Sequence, residues 1–267
     1  APADPVQFQI QMNTFSLSGR TALVAGASRG IGLAIAEALA GAGAAAILAA
    51  RSFDKLESHA SALRGKNLDA RALRLDLADP SSIREAAAGA GDVDILVNVA
   101  GINIRKRFEQ YTPEEYAQVL QTNLHGIVQL TQLVGAGMIR RGRGGKIIMI
   151  GSMTSLLGLP YLTVYGITKS GIAGLTRTLA AEWGRYDIQV NCIAPGMIET
   201  DLNRVVWATE AMKTWYKGAA SNPRLGTPAD VAPLAVFLAG RGADYITGQV
   251  IAVDGGYSTT AVWPFEP

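Results

Sequence analysis

Seven short aliphatic and β-branched runs alternate with longer helical patterns from one end of this chain to the other. The runs lie at 21–26, 45–50, 70–75, 93–98, 146–151, 188–193 and 249–253. Each is nearly continuous in hydrophobicity, as expected of parallel strands buried on both faces. Helical patterns fall between them at 30–42, 53–63, 80–90, 113–141, 164–186 and 228–239. Asp79-Pro80, Thr112-Pro113 and Thr227-Pro228 each place a capping residue before a proline at the first helical turn. A repeated βα unit of this kind implies an α/β fold: one doubly wound parallel sheet of about seven strands with helices on both faces. No linker, repeat or low-complexity tract interrupts it, so residues 1–267 are expected to form a single domain, with 1–17 an N-terminal extension. The segment 199–223 fits neither strand nor regular crossover and is rich in Trp, Met, Tyr and Thr. It reads as a lid over a substrate site, built with helical pieces, or else as a packed surface helix pair.

Composition narrows the function. A chain of 267 residues can bury about 70% of its open-chain surface, so its core needs no covalent or metal staple. Charged residues make up 17% and hydrophobic ones 49%, which excludes a disordered chain. The formal charge, 24 − 22 = +2, is too balanced for a nucleic-acid-binding stripe. One cysteine, Cys192, and two histidines, His59 and His125, exclude a cysteine zinc cage and leave any metal site short of nitrogen ligands. The opening residues carry no basic region followed by an apolar core, and no apolar run approaches the ~20 residues that span a bilayer. A cytoplasmic protein without membrane or nucleic-acid partners is the expectation.

The first strand runs through Gly26-Ala27-Ser28-Arg29-Gly30-Ile31-Gly32 straight into a helix. Glycines here let the backbone turn sharply and approach a pyrophosphate, and the helix N-terminus presents N–H groups and a partial positive charge. The spacing is Gly-x-x-x-Gly-x-Gly, not the common dinucleotide fingerprint Gly-x-Gly-x-x-Gly. A site for NAD would place a carboxylate at the end of the second strand to bond the ribose 2′-hydroxyl. Arg51 stands there instead, with Arg29 able to flank it, and paired guanidinium donors suit a 2′-phosphate. NADP is therefore expected over NAD. Asp76, ending the third strand before Leu77, is expected near the adenine edge.

Tyr165 and Lys169 open a helix four residues apart, on one face, and Ser152 follows the preceding strand. A phenol near its ordinary pKa of about 10 is a poor proton carrier at neutral pH. A neighbouring ammonium and a bound nicotinamide cation are expected to lower it. Such a tyrosine can give a proton to a carbonyl or take one from an alcohol, with Ser152 holding the same oxygen.

From residue 18 to residue 256 the chain resembles the short-chain dehydrogenase/reductase family. Gly26, Gly30 and Gly32 match its glycine motif. Asn98-Val99-Ala100-Gly101 matches its strand-four motif, with Val99 where a second Asn is common. Asn123, Ser152, Tyr165 and Lys169 match its catalytic tetrad, and Pro195-Gly196 with Thr200 its nicotinamide-binding stretch. The resemblance implies a Rossmann-type fold and a hydride exchanged with a carbonyl or secondary alcohol. It implies cofactor contacts from Gly26 to Gly32, from Arg51, Asp76, Leu77, Asn98, Ala100 and Gly101, from Tyr165 and Lys169, and from Pro195, Gly196, Ile198 and Thr200. It also implies Tyr165 as acid/base, Lys169 lowering its pKa and bonding the nicotinamide ribose, Ser152 orienting substrate and Asn123 supporting a water-linked proton relay. Family members are commonly homotetramers built through their long helices, so Gly166, Gly171 and Gly174 read as points of close backbone approach to the cofactor or to another subunit.

Substrate is less legible. Arg105 follows strand four, in a loop similar to that of gluconate 5-dehydrogenase and related sugar-acid oxidoreductases. Its guanidinium could hold a substrate carboxylate through two parallel bonds. Against a sugar acid or polyol, Trp207, Met212, Trp215 and Tyr216 give the lid segment an apolar character suited to a bulkier ketone. The 3-oxoacyl carrier-protein reductases share the same motifs, and a non-catalytic nucleotide-sensing protein is a further alternative. His125 reads as a packing histidine, Cys192 as an inert core thiol, and Arg140, Arg141, Arg143 and Lys146 as a solvated turn.

Overall fold

The computed structural model describes residues 14–200 and 204–260. Residues 1–13 of the expected N-terminal extension and 201–203 of the expected lid lie outside the described residues. The strands are β1 (Thr21–Ala25), β2 (Ala45–Ala50), β3 (Ala70–Arg74), β4 (Ile95–Asn98), β5 (Gly145–Ile150), β6 (Ile188–Pro195) and β7 (Val250–Val253). The helices are α1 (Gly30–Gly41), α2 (Phe53–Arg64), α3 (Pro80–Ala90), α4 (Pro113–Leu120), α5 (Gly126–Arg141), α6 (Thr163–Trp183), α7 (Arg204–Trp207), α8 (Glu210–Ala219) and α9 (Pro228–Ala239). All seven strands form one parallel sheet in the order β3-β2-β1-β4-β5-β6-β7.

The capping signals do what their chemistry dictates. Asp79 accepts from the Ser81 N–H at 2.8 Å and starts α3. Thr112 and Glu115 exchange bonds of 3.2 and 3.0 Å to start α4 behind Pro113. These satisfy N–H groups that have no partner inside the helix. The expected single helix over 113–141 is divided by a π-helical turn, Gln121–His125, which inserts a wider loop of backbone between α4 and α5. Such turns concentrate at functional sites.

Two apolar layers enclose the sheet. On one face Ile35, Leu39, Leu56, Val231 and Leu238 of α1, α2 and α9 pack over Val24, Leu48 and Val97. On the other, Ile83, Leu130, Val134, Ile172 and Trp183 of α3, α5 and α6 pack over Leu23, Leu96 and Val190. Each such side chain taken from water contributes roughly 1.5–3 kcal/mol.

Two sequence expectations are corrected here. Lys146 is buried and pairs with Asp244 at 2.7 Å, and Arg141 bonds the Val93 carbonyl and reaches Asp94 at 3.4 Å. Lys146 and Arg141 thus tie β5 and α5 to their neighbours, while Arg140 and Arg143 stay exposed as expected of a solvated turn. His125 is exposed, because the π turn rotates it out of the core. Gly171 is approached by Leu124 of the same chain, at 3.2 Å from where a Cβ would stand.

Candidate active site

Strand order turns back at β1, which pairs with β2 on one side and β4 on the other. A crevice opens at the carboxyl ends of such strands. Gly26 follows β1 at φ +100°, and a Cβ there would lie 2.6 Å from the Ala100 nitrogen. The chain leaving β1 therefore passes directly against the chain leaving β4, which only glycine permits. A Cβ at Gly32 would lie 2.1 Å from the Gly26 carbonyl oxygen, so α1 closes onto the loop. Gly30, at φ +56°, has Thr200 over its open side at 3.4 Å. The loop after β6 is thereby folded back over the glycine turn.

This cradle fits a dinucleotide. The α1 helix begins at Gly30 behind an extended Arg29, whose side chain makes no cap bond to its first N–H groups. Those groups and the positive end of the helix are suited to a phosphate. Arg29 and Arg51 are exposed, and neither forms an ion pair with a described residue. Ser28 and Ile31 lie within the turn, half-buried. Asp76 accepts from the Ala78 N–H at 2.9 Å, which stabilises the turn at Leu77. Asn98 is buried at the end of β4, donating to Thr131 at 3.0 Å while its carbonyl oxygen has no partner among the described residues. Gly196, after Pro195, would meet Asp254 at 2.6 Å if it carried a Cβ, and buried Ile198 bridges to Gly226.

The reactive side chains gather beside it. Ser152 leaves β5 and accepts from the Thr154 N–H at 3.1 Å. Lys169 is 2% exposed, donates to the Ile150 carbonyl at 2.7 Å and holds its Nζ 5.6 Å from the centre of the Tyr165 ring. Asn123, in the π turn, accepts from the Ile102 N–H and donates to the Ile102 carbonyl, both at 2.8 Å. A Cβ at Gly101 would lie 3.4 Å from the Asn123 carbonyl oxygen and 3.7 Å from the Lys169 Nζ, so the two side chains meet over Gly101.

The electrostatics differ from the sequence expectation. Burial pushes the Tyr165 phenol above its ordinary value of 10, and this outweighs a hydrogen bond from Ser152 and the charge of Arg105, which pull it down. Burial also lowers Lys169 to about 8. Ser152 and Arg105 pull the phenol down, and the ammonium, 5.6 Å from the ring centre, gives its short bond to Ile150.

Arg105 owes its position to its neighbours. Ile102 is clamped by Asn123, the Ile104 carbonyl accepts from the Tyr111 hydroxyl, and Lys106 pairs with Glu115 at 2.8 Å. Alternate residues of the loop are pinned, and Arg105 between them is left exposed without an ion pair among the described residues. In the lid segment, Trp207 and Tyr216 are buried, and Tyr216 stacks on Tyr257 at 6.5 Å. Only Trp215 of the large aromatic residues there is substantially exposed, so the segment's apolar character serves mostly its own packing. Sequence reasoning missed the clamp by Tyr111 and Glu115 and the positive φ of Tyr161, +66°, which no local pattern signals.

A family profile described as enoyl-(acyl carrier protein) reductase matches residues 26–258. The gluconate 5-dehydrogenase of Gluconobacter oxydans is 36% identical over 250 residues, covering 92% of this chain and 97% of that protein. The 3-oxoacyl-[acyl-carrier-protein] reductase of Aquifex aeolicus is 37% identical, covering 90% and 98%. The crystal structure of a gluconate 5-dehydrogenase from Burkholderia cenocepacia, in complex with NADP and tartrate, superposes with a TM-score of 0.90 at 36% identity, covering 94% of this chain and all of that one.

Proposed function

Since the chain belongs to the short-chain dehydrogenase/reductase family, we propose that it is an NADP-dependent oxidoreductase acting on the secondary alcohol or ketone of a sugar acid or polyol. The observation that carries this reading is the convergence of Ser152, Tyr165 and Lys169 beside the glycine cradle, with an unpaired Arg105 bearing on the same phenol. When bound, the cofactor accepts or supplies the hydride. Arg29 and Arg51 hold its 2′-phosphate, the amides of Ser28 to Gly32 its pyrophosphate, and Asp76 and Leu77 its adenine edge. Asn98, Ala100, Gly101, Pro195, Gly196, Ile198 and Thr200 line the remainder of the same trough.

Ser152 donates a hydrogen bond to the substrate oxygen and orients it. Tyr165 takes the hydroxyl proton of an alcohol, or gives its own to a carbonyl oxygen, as carbon and hydride part or join. Lys169 places a positive charge under the phenol and toward the nicotinamide ribose. Asn123 holds the loop that carries Arg105, and Arg105 pairs with the substrate carboxylate through parallel N–H bonds. The bound tartrate of the Burkholderia structure, a hydroxy acid, supports this substrate class. A bulky ketone or acyl thioester is the second reading, favoured by exposed Trp215 and by the Aquifex relative.

Residues 1–267 are read as one catalytic domain of a cytoplasmic homotetramer, with 199–223 as its lid. A groove of about 540 Å³ on the α5 and α6 face, lined by Leu124, Val128 and Leu175, supports self-association there. Among the described residues no helix is long and apolar enough to cross a membrane. Turnover of sugar acids, acyl-thioester mimics and cyclic ketones with each nicotinamide tests the reading. Tyr165→Phe is expected to abolish turnover while NADP binding persists, and Arg105→Ala to raise KM for a sugar acid. An unchanged KM would remove the carboxylate anchor.

A further inference from the structure

One hydroxyl binds two members of the reactive group without being one of them. A short 3₁₀ turn, Met153–Ser155, follows Ser152 out of β5. At its end Ser155 Oγ donates to the Lys169 carbonyl oxygen at 2.9 Å and accepts from the Ser152 N–H at 3.3 Å. The second bond belongs to a reciprocal cap, since the Ser152 hydroxyl accepts in turn from the Thr154 N–H at 3.1 Å. The first bond does not. It leaves the turn and reaches α6, fourteen residues further along the chain. A carbonyl inside a helix already receives the N–H four residues on, so neither the cap nor the helix requires this contact.

The surroundings are shaped to admit it. A Cβ at Gly151 would lie 2.9 Å from Ser155 Oγ and 2.7 Å from Cys192 Sγ, so the end of β5 carries glycine where the hydroxyl enters. Lys169 is thereby held at both ends, its carbonyl by Ser155 and its ammonium by the Ile150 carbonyl at 2.7 Å. Ser152 has one proton to give. With its Oγ accepting from Thr154, that proton is left for the phenol of Tyr165, which Ser152 pulls down by a hydrogen bond, or for a substrate oxygen. Whether the hydroxyl reaches either depends on how the turn sits against the helix that carries Tyr165 and Lys169.

We propose that Ser155 is a positioning residue: by joining the Ser152 amide to the Lys169 carbonyl it sets the turn against α6 and so aims the Ser152 hydroxyl at the reacting oxygen. This rests on the roles given above to Ser152, Tyr165 and Lys169. It does not depend on which substrate is correct, because the geometry concerns only the oxygen that gains or loses a proton.

A double-mutant cycle tests it, read by gluconate oxidation with NADP⁺ and by acetoacetyl-thioester reduction with NADPH. Misplacing a reacting group by about 1 Å can cost about a hundredfold in rate, and loosening one tie should cost less. Ser155→Ala is therefore expected to lower kcat about five- to twentyfold while KM for the cofactor stays within about twofold. Its alkaline oxidation limb should move to higher pH as the bond from Ser152 to the phenol weakens. In a Ser152→Ala background, where no hydroxyl remains to be aimed, the same change should cost less than about twofold. Ser155→Thr, which keeps the hydroxyl, should recover most of the lost rate. A purely structural serine would lower kcat equally in both backgrounds, and that result overturns the proposal. So does a wild-type kcat in Ser155→Ala. Full activity in Ser152→Ala alone would refute the assignment of Ser152 itself, and this proposal with it.

Discussion

Replacing Lys169 by methionine keeps the length of a buried side chain while removing its ammonium and its bond to Ile150. Burial lowers this amine from 10.5 to about 8 in the folded chain. Below pH 8 folded and unfolded chains both hold the proton, and the group adds no pH dependence. Between pH 8 and 10.5 the folded chain has released it while the unfolded chain still binds it. The unfolded state then binds more protons, so wild-type stability rises with pH. At about 1.4 kcal/mol per pH unit, the gap between 10.5 and about 8 corresponds to about 3 kcal/mol. Lys169→Met lacks this term. Cys192, whose thiol burial pushes up and the Lys169 charge pulls down, loses that pull in the variant, so both proteins are compared in a Cys192→Ala background. Below pH 8 the variant escapes the penalty of a buried charge but loses a charged hydrogen bond of about 1.5–3 kcal/mol, so the two proteins are expected within about 2 kcal/mol of each other. Urea unfolding of both, without cofactor, at pH 7, 8, 9, 10 and 10.5 reads the effect. The wild-type advantage should climb across the window and level off at either end, while the variant stays inactive throughout. A difference that is flat with pH would refute the claim that desolvation governs this amine.

The raised Tyr165 phenol makes alcohol oxidation, which needs the phenolate, accelerate from neutral into alkaline pH, whereas carbonyl reduction, which needs the phenol, stays level until the tyrosine ionises. Arg105→Ala removes a downward pull and should move the oxidation limb to higher pH. Rate profiles from pH 6 to 10.5 decide it, and an unmoved limb contradicts the assignment. Asp244→Ala strands the Lys146 ammonium, whose side chain is 3% exposed, and should cost about 2–3 kcal/mol, while Lys146→Met should stay within about 1 kcal/mol of wild type. Equal losses by denaturant unfolding would argue against a desolvated lysine. Gly32→Ala drives a Cβ to 2.1 Å from the Gly26 oxygen, so it should destabilise by about 1–3 kcal/mol and weaken NADP⁺ binding at least tenfold. Gly41→Ala, at the far end of α1 with open space at the same point, should leave both unchanged or gain about 0.5–1 kcal/mol. Thermal melts and fluorescence titration compare the pair.

Much of the frame was legible in residues 21–26 and their six counterparts, because a parallel strand covered on both faces needs an unbroken apolar run. All seven strands fall within two residues of the expected bounds. The proline caps were legible too, since a capping oxygen and a missing N–H act within one turn. Gly26, Gly30 and Gly32 showed the tight turn between β1 and α1 for the same local reason. The break at Asn123 was not legible, because a π turn depends on what its side chain meets, here the backbone of Ile102.

Local periodicity, capping and glycine spacing thus determined the sheet, the helices and the positions of Tyr165, Lys169 and Ser152, all of which act over a few residues of chain. Only the tertiary structure decided how those groups are charged and aimed. Desolvation of Tyr165 and Lys169, the clamp that turns Arg105 outward, Thr200 lying over Gly30 and the strained Tyr161 all arise from residues far apart in sequence or from a backbone state that residue type does not announce. Electrostatic energy depends on what surrounds a charge, and those surroundings exist only once the chain has folded.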